Sequence, residues 1–168
     1  MKLLSLYIAG FGKLKDYNLD FKDDFTMICE ENGYGKSTVV AFIKAMFYGL
    51  ESDRQNSKFT ERRHYYPFNG GSFGGNITFN YHDKKYRIER FFNVKSDTLD
   101  TLKIYVNDNL SDELGNEPGI KLFGINKSNF EKLVLINSDK IAIEGNDDIN
   151  KKLNNYVENI GEDFNIAN

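Results

Sequence analysis

The spacing of apolar residues changes along the chain, and each change marks a different element. Residues 2–8 alternate apolar and polar, and residues 17–21 alternate again after the turn sequence GFGKLK, which predicts a hairpin-like pair of strands. Residues 25–29 are a short, nearly apolar run ending at a glycine-containing loop, and read as a buried strand. From Lys36 the spacing turns helical. Val39, Val40, Phe42, Ile43, Ala45, Met46 and Phe47 predict a strongly apolar helix that stops at Gly49, a C′ glycine.

Residues 51–73 are polar, and with NGGSFGG at 69–75 they predict a long irregular connection. Residues 76–81 and 85–92 flank HDKK as a second hairpin, and residues 101–106 offer a third strand. The Ser128 to Glu131 spacing is that of a capping box, predicting a helix start ahead of residues 133–136. Ile149, Leu153, Tyr156, Val157 and Ile160 share one face of a predicted helix over 147–160, followed by Gly161. No internal repeat or low-complexity tract interrupts this order.

Composition narrows the picture. A chain of 168 residues with 40% hydrophobic and 28% charged residues is expected to be one soluble globular domain rather than a disordered segment. The net charge of −3 gives no overall basic field of the kind that announces nucleic acid, although Lys58, Arg62, Arg63 and His64 form a local basic cluster. The single cysteine, Cys29, excludes an internal disulfide, and with two histidines in the chain it argues against a zinc site. Cys29 reads as a small buried residue. No apolar run approaches the ~18 residues of a membrane span, so a reducing, cytoplasmic location without membrane contact is expected.

The candidate chemistry sits in ICEENGYGKSTVV, residues 28–40. The pattern G-x-x-x-x-G-K-[ST] is met at Gly35, Lys36 and Ser37, but Glu30 stands at its opening glycine. A strand before and an apolar helix after give the context a phosphate loop requires. Backbone N–H groups from Asn32 through Lys36, with Gly33 and Gly35 allowing unusual angles around Tyr34, would face phosphate oxygens at the positive end of the helix. Lys36 would reach the β- and γ-phosphates, Ser37 would ligate Mg²⁺, and Thr38 would lie near the α-phosphate. Glu30 costs on the order of 2 kcal/mol if its carboxylate lies about 8 Å from a phosphate charge at an effective dielectric near 20, and less when exposed. A Gly-rich turn with a chance GKS is the bland alternative.

The order of motifs along nearly the whole chain resembles the N-terminal half of the SMC-like, ABC-type ATPases of DNA repair, AAA-family enzymes with a coiled coil inserted in the ATPase head. The carrying stretches are LLSLYIAGFGKLKDYNLDF, ENGYGKSTVVAFIKAMFYG, YPFNGGSFGGNITFNYHDKKYRIERFF and LFGINKSNFEKLVLINSD. They resemble the opening strands, the phosphate loop and its helix, the glycine-rich hairpin, and the helix running into the Q-loop. The resemblance implies an α/β fold: a P-loop NTPase with a mixed sheet around the phosphate-loop helix and an antiparallel β subdomain, residues 1–168 forming a single N-terminal lobe. It implies that the coiled coil and the Walker B lobe lie beyond this chain, as a truncated or natural half. ATP and Mg²⁺ would then sit between this lobe and a second head, a homodimer, with a C-terminal ATPase lobe, DNA and a nuclease subunit as further partners.

The same resemblance places Ser138 at the position of the Q-loop glutamine, with Asp139 as a substitute metal ligand. Lys13, in the GFGK turn, and Lys15 would approach the phosphates from the side. Arg62 and Arg63, beside His64, Tyr65 and Tyr66, would contact DNA or meet ATP across the dimer, or would be ordinary surface charges. Arg87 and Arg90 have odd spacing in one strand and so point to opposite faces. Asp147 and Asp148 read as a helix cap rather than a metal pair. Two further readings stay open: a degenerate, non-catalytic nucleotide-sensing or dimerisation module, favoured by Glu30 and Ser138, and a small P-loop kinase.

Overall fold

The computed structural model describes residues 1–22, 26–28, 33–52 and 59–134. The chain divides into two compact units, 1–125 and 126–168. The first unit holds one six-stranded antiparallel sheet in the order β2-β1-β3-β4-β5-β6, comprising β1 (Lys2–Phe11), β2 (Leu14–Asp20), β3 (Gly74–Tyr81), β4 (Lys84–Phe91), β5 (Thr101–Val106) and β6 (Asn109–Ser111). The expected hairpins and the strand at residues 101–106 are therefore present. The expected mixed sheet is not what the described strands form, since every pairing among them is antiparallel.

Alternation decides which face of the sheet is buried. Leu6, Ile77, Ile88 and Ile104 lie in register across four neighbouring strands, and all four are buried. The helix α1 (Lys36–Tyr48) packs against β1, β3 and β4, placing Phe42, Ala45, Met46 and Phe47 in the core. Phe47 meets Phe79 edge-on with ring centroids 5.5 Å apart, and Phe79 stacks on Tyr86 at 5.4 Å. Removing a buried ring of this kind costs roughly 3–5 kcal/mol. The helix ends as expected, at Gly49 with φ 75°.

Arg90 and Arg87 do point to opposite faces. Arg90 is buried under the carbonyl end of α1, its guanidinium donating to Ala45 O (3.3 Å) and Asn116 O (3.4 Å). Burial lowers its pKa to about 10, so it stays cationic at neutral pH and complements the negative end of the helix. Arg87 lies over the Tyr105 ring at 4.3 Å.

Two expectations change. The connection after α1 is not irregular throughout: it contains α2 (Glu61–Tyr65), whose Thr60 cap accepts from the Arg63 N–H. Residues 26–28 carry no strand, and Met27 is 67% exposed; Phe25 and Cys29 lie outside the described residues. A short helix, α3 (Pro118–Phe123), which the pattern of apolar residues did not announce, completes the first unit and packs on α1.

Within the second unit the described part is a single helix, α4 (Lys127–Leu133). Its cap is Asn126 rather than Ser128: the Asn126 side chain accepts from the Asn129 N–H at 2.9 Å, which leaves Ser128 already inside the helix. The predicted helix at 147–160, with Asp147 and Asp148, lies outside the described residues. No helix among the described residues is long and apolar enough to cross a membrane.

Candidate phosphate-binding site

The first turn of α1 is held by the β1–β2 hairpin rather than by a side-chain cap. Gly35 is the residue before the helix, at φ 122°, and its carbonyl accepts the first helical hydrogen bond, from Val39 N–H at 2.9 Å. The backbone angle favours glycine, and a Cβ there would lie 2.9 Å from Leu14 Cδ2 and 3.2 Å from Lys13 Cε, so any side chain would also have to push these two aside. Lys13 thus stands beside the loop, exposed to solvent, with Ser37 exposed and Lys36 half-buried at the start of the helix. Helix geometry directs the first-turn N–H groups and the positive end of the dipole out of this corner.

The Gly12–Lys13 turn is itself pinned. Gly12 has φ 58°, donates its N–H to Tyr65 O at 2.6 Å, and accepts from Phe68 N–H at 3.3 Å. A Cβ at Gly12 would meet Thr38 Cγ2 at 3.4 Å and Tyr65 Cδ1 at 3.6 Å. The helix, the turn and α2 therefore converge on one point, and Tyr65 stacks on Phe11 at 4.6 Å beneath it.

Two ionic contacts fix α2 in that position. Glu61 pairs with Lys44, the one charged side chain buried on α1, and Arg62 is held in the core at 0% exposure. The Arg62 guanidinium grips both carboxylate oxygens of Asp100 at 2.8 and 2.9 Å, and donates to the carbonyls of Leu50, Glu51 (2.9 Å) and Asn93 (2.5 Å). Asp100 also accepts the Asn93 N–H at 2.7 Å. Arg62 is consequently a structural clamp and not a surface contact for DNA or a second head, because every donor direction is already taken inside the protein. Arg63, by contrast, is exposed.

Among the expected site residues, the structure brings Lys13, Gly33, Tyr34, Gly35, Lys36, Ser37 and Thr38 to one corner of the molecule. Asn32, Glu30, Lys58, Ser138 and Asp139 lie outside the described residues. Among the described residues no group of three His, Cys, Asp or Glu is placed to hold a metal. Leu14 and Lys44 were not singled out from sequence. A lone lysine inside VVAFIKAMF was the available signal for the latter, since a charge on an otherwise apolar helix needs a buried partner.

The corner suits a polyphosphate. A glycine precedes the helix terminus, two lysines flank it, and an exposed serine stands in the first turn. No curated protein gives a significant match to the chain. Residues 5–168 match the AAA domain family, almost the whole sequence, and this agrees with a phosphate loop at the start of α1. The chain is a nucleotide-binding P-loop ATPase module and belongs to the AAA domain family.

Proposed function

We propose that this chain binds ATP with Mg²⁺ and serves as the N-terminal lobe of an SMC-like, ABC-type ATPase in the cytoplasm, acting in DNA repair or recombination. The observation that carries the nucleotide part is the packing of Lys13 and Leu14 against Gly35, which sets a second lysine beside Lys36 at the mouth of the loop. In this reading Lys36 neutralises the β- and γ-phosphates, Ser37 ligates Mg²⁺, and Lys13 approaches the terminal phosphate from the side. Mg²⁺, held by the Ser37 hydroxyl, would supply charge neutralisation at the phosphates. The chain's own groups position the triphosphate, and the residue that orients the attacking water is supplied by a C-terminal lobe, with a second head closing the site. Ser138 and Asp139 are proposed to approach the metal from the Q-loop position. Of the two arginines first considered for DNA or the opposing head, only Arg63 remains a candidate contact.

Calorimetric titration of the full chain with ATP and Mg²⁺, alongside Lys36→Ala and Glu30→Gly, tests this. Saturable binding is expected in the wild type, weakened about 100-fold in Lys36→Ala, a change of roughly 3 kcal/mol. Turnover by the chain alone is expected to be slow. Absence of binding in the wild type, restored by Glu30→Gly, would favour the degenerate sensing module instead, and phosphoryl transfer to a small acceptor would favour a kinase.

A further inference from the structure

We propose that the end of the sheet at the β3–β4 turn carries a second ligand site, one that takes a small sugar phosphate. A depression of about 530 Å³ opens there, bounded by the start of β1, the β3–β4 turn and the turn from β5 into β6. Strand register decides what lines it. Lys2 pairs with Asn80 and Asn80 with Lys85, so these three side chains stand side by side on one face of the sheet. Phe79 and Tyr86, the neighbours along β3 and β4, are buried, so alternation turns the row to the face away from α1. Asn107 extends the row: its N–H donates to Lys85 O at 2.8 Å, and its Oδ1 accepts from the Lys85 N–H at 3.0 Å. With the amide oxygen so engaged, Nδ2 is a donor without a partner among the described residues.

The row thus reads ammonium, amide, ammonium, amide, with no carboxylate in it. Two inter-strand steps set Lys2 and Lys85 about 10 Å apart, a gap that an oxyanion lying over Asn80 can bridge. Lys85 is held loosely, its ammonium 4.0 Å from Asp108 with both side chains at least half exposed. The two turns beside the row point the same way. His82 and Asp83 have φ 45° and 59°, and Asn107 and Asp108 have φ 47° and 66°, where glycine is favoured. Side chains kept at such positions collect at ligand sites. Asp83, the carboxylate on the lining, does not make a cation site beside two lysines, but it can accept hydrogen bonds from hydroxyl groups. The volume lies in the range of small-molecule sites and is more than a bare phosphate fills. A hydroxylated body carrying one phosphate matches both the donor row and Asp83.

Calorimetric titration of the full chain with glucose 6-phosphate, inorganic phosphate and glucose tests this. Saturable binding is expected for glucose 6-phosphate, about tenfold weaker binding for phosphate, and none for glucose. Lys85→Met should weaken glucose 6-phosphate binding about tenfold, and Lys85→Arg should retain it. Both should melt like the wild type, because this side chain is exposed. Lys84→Met removes an ammonium bound to Glu113 at 3.0 Å and outside the depression, and should leave binding as it was. Lys36→Ala separates this site from the phosphate loop and should bind glucose 6-phosphate as the wild type does. The proposal is overturned if glucose 6-phosphate does not bind, or if inorganic phosphate binds as tightly. It is overturned equally if the affinity falls in Lys36→Ala, or is unchanged in Lys85→Met.

Discussion

The sheet is closed at its two ends by turns of the same length, and the two have opposite surroundings. At one end Gly12 and Lys13 join β1 to β2; at the other His82 and Asp83 join β3 to β4. Each turn uses positive backbone angles, with φ 58° at Gly12 and φ 45° and 59° at His82 and Asp83. The second turn stands in solvent, with its histidine against the Tyr81 ring at 4.2 Å. The first is overlaid by the start of α1, by Tyr65 and by the Phe68 backbone. A hairpin turn becomes a wall of a binding site only when other elements pack onto it, and the pattern of the hairpin itself does not say whether they will.

The largest expected effect comes from releasing the elements that overlie the first turn. Arg62→Ala leaves the half-buried Asp100 with only its Asn93 N–H bond and strips three carbonyls of a donor. It should destabilise the protein by about 3–5 kcal/mol in urea unfolding. A loss under about 1 kcal/mol would mean that the clamp does not hold α2. Next in size is Gly12→Ala. The added Cβ meets only ordinary contacts, so the cost is the left-handed backbone angle, about 1–2 kcal/mol. Because the same turn carries Lys13, ATP affinity should fall with stability; an unchanged affinity would separate the turn from the site.

Lys13→Ala sharpens the comparison by removing chemistry without removing structure. Its melting temperature should stay close to that of the wild type, since the side chain is exposed, while ATP binding weakens about tenfold by calorimetry. At the solvent end, Asp83→Gly should raise stability by about 0.5 kcal/mol, glycine being the favoured second residue of such a turn, and leave ATP affinity untouched. The smallest effect is expected near the same end. The Lys84 ammonium, and after it the Tyr86 hydroxyl, hold the Glu113 carboxyl below the usual carboxylate range. A lowered carboxyl pKa stabilises the fold above the unfolded value and loses that contribution as pH falls through the folded one. Thus any stability difference between wild type and Glu113→Gln should be present at neutral pH and fade in acid. A difference that grew on acidification would contradict this sign.

Local pattern was enough where a residue's role depends on its neighbours in sequence. Alternation located β5 to the residue, the long apolar stretch located α1 and its terminating glycine, and the GKS sequence located the helix terminus. The short elements were less visible. The five residues of α2 show no apolar period, and its cap is a threonine whose helical partner, the Arg63 N–H, is not evident from composition. At α4 the sequence points to a cap two residues late, because a serine with a glutamate three residues on looks like a better cap than Asn126, although the asparagine makes the hydrogen bond.

Arg62 and Arg63 show where sequence reasoning runs out. Adjacent and chemically identical, they read alike as surface cations, yet one lies entirely in the core and the other faces solvent. The difference is made by Leu50, Glu51, Asn93 and Asp100, which come together only when β4, its connection to β5 and the end of α1 are assembled. The sequence by itself determined that this protein has a phosphate-loop helix, two hairpins and a third strand, because strand and helix periods are properties of consecutive residues. Which lysine stands beside the loop and which arginine is a clamp were decided by the tertiary structure, because burial and hydrogen bonding depend on residues that are far apart along the chain.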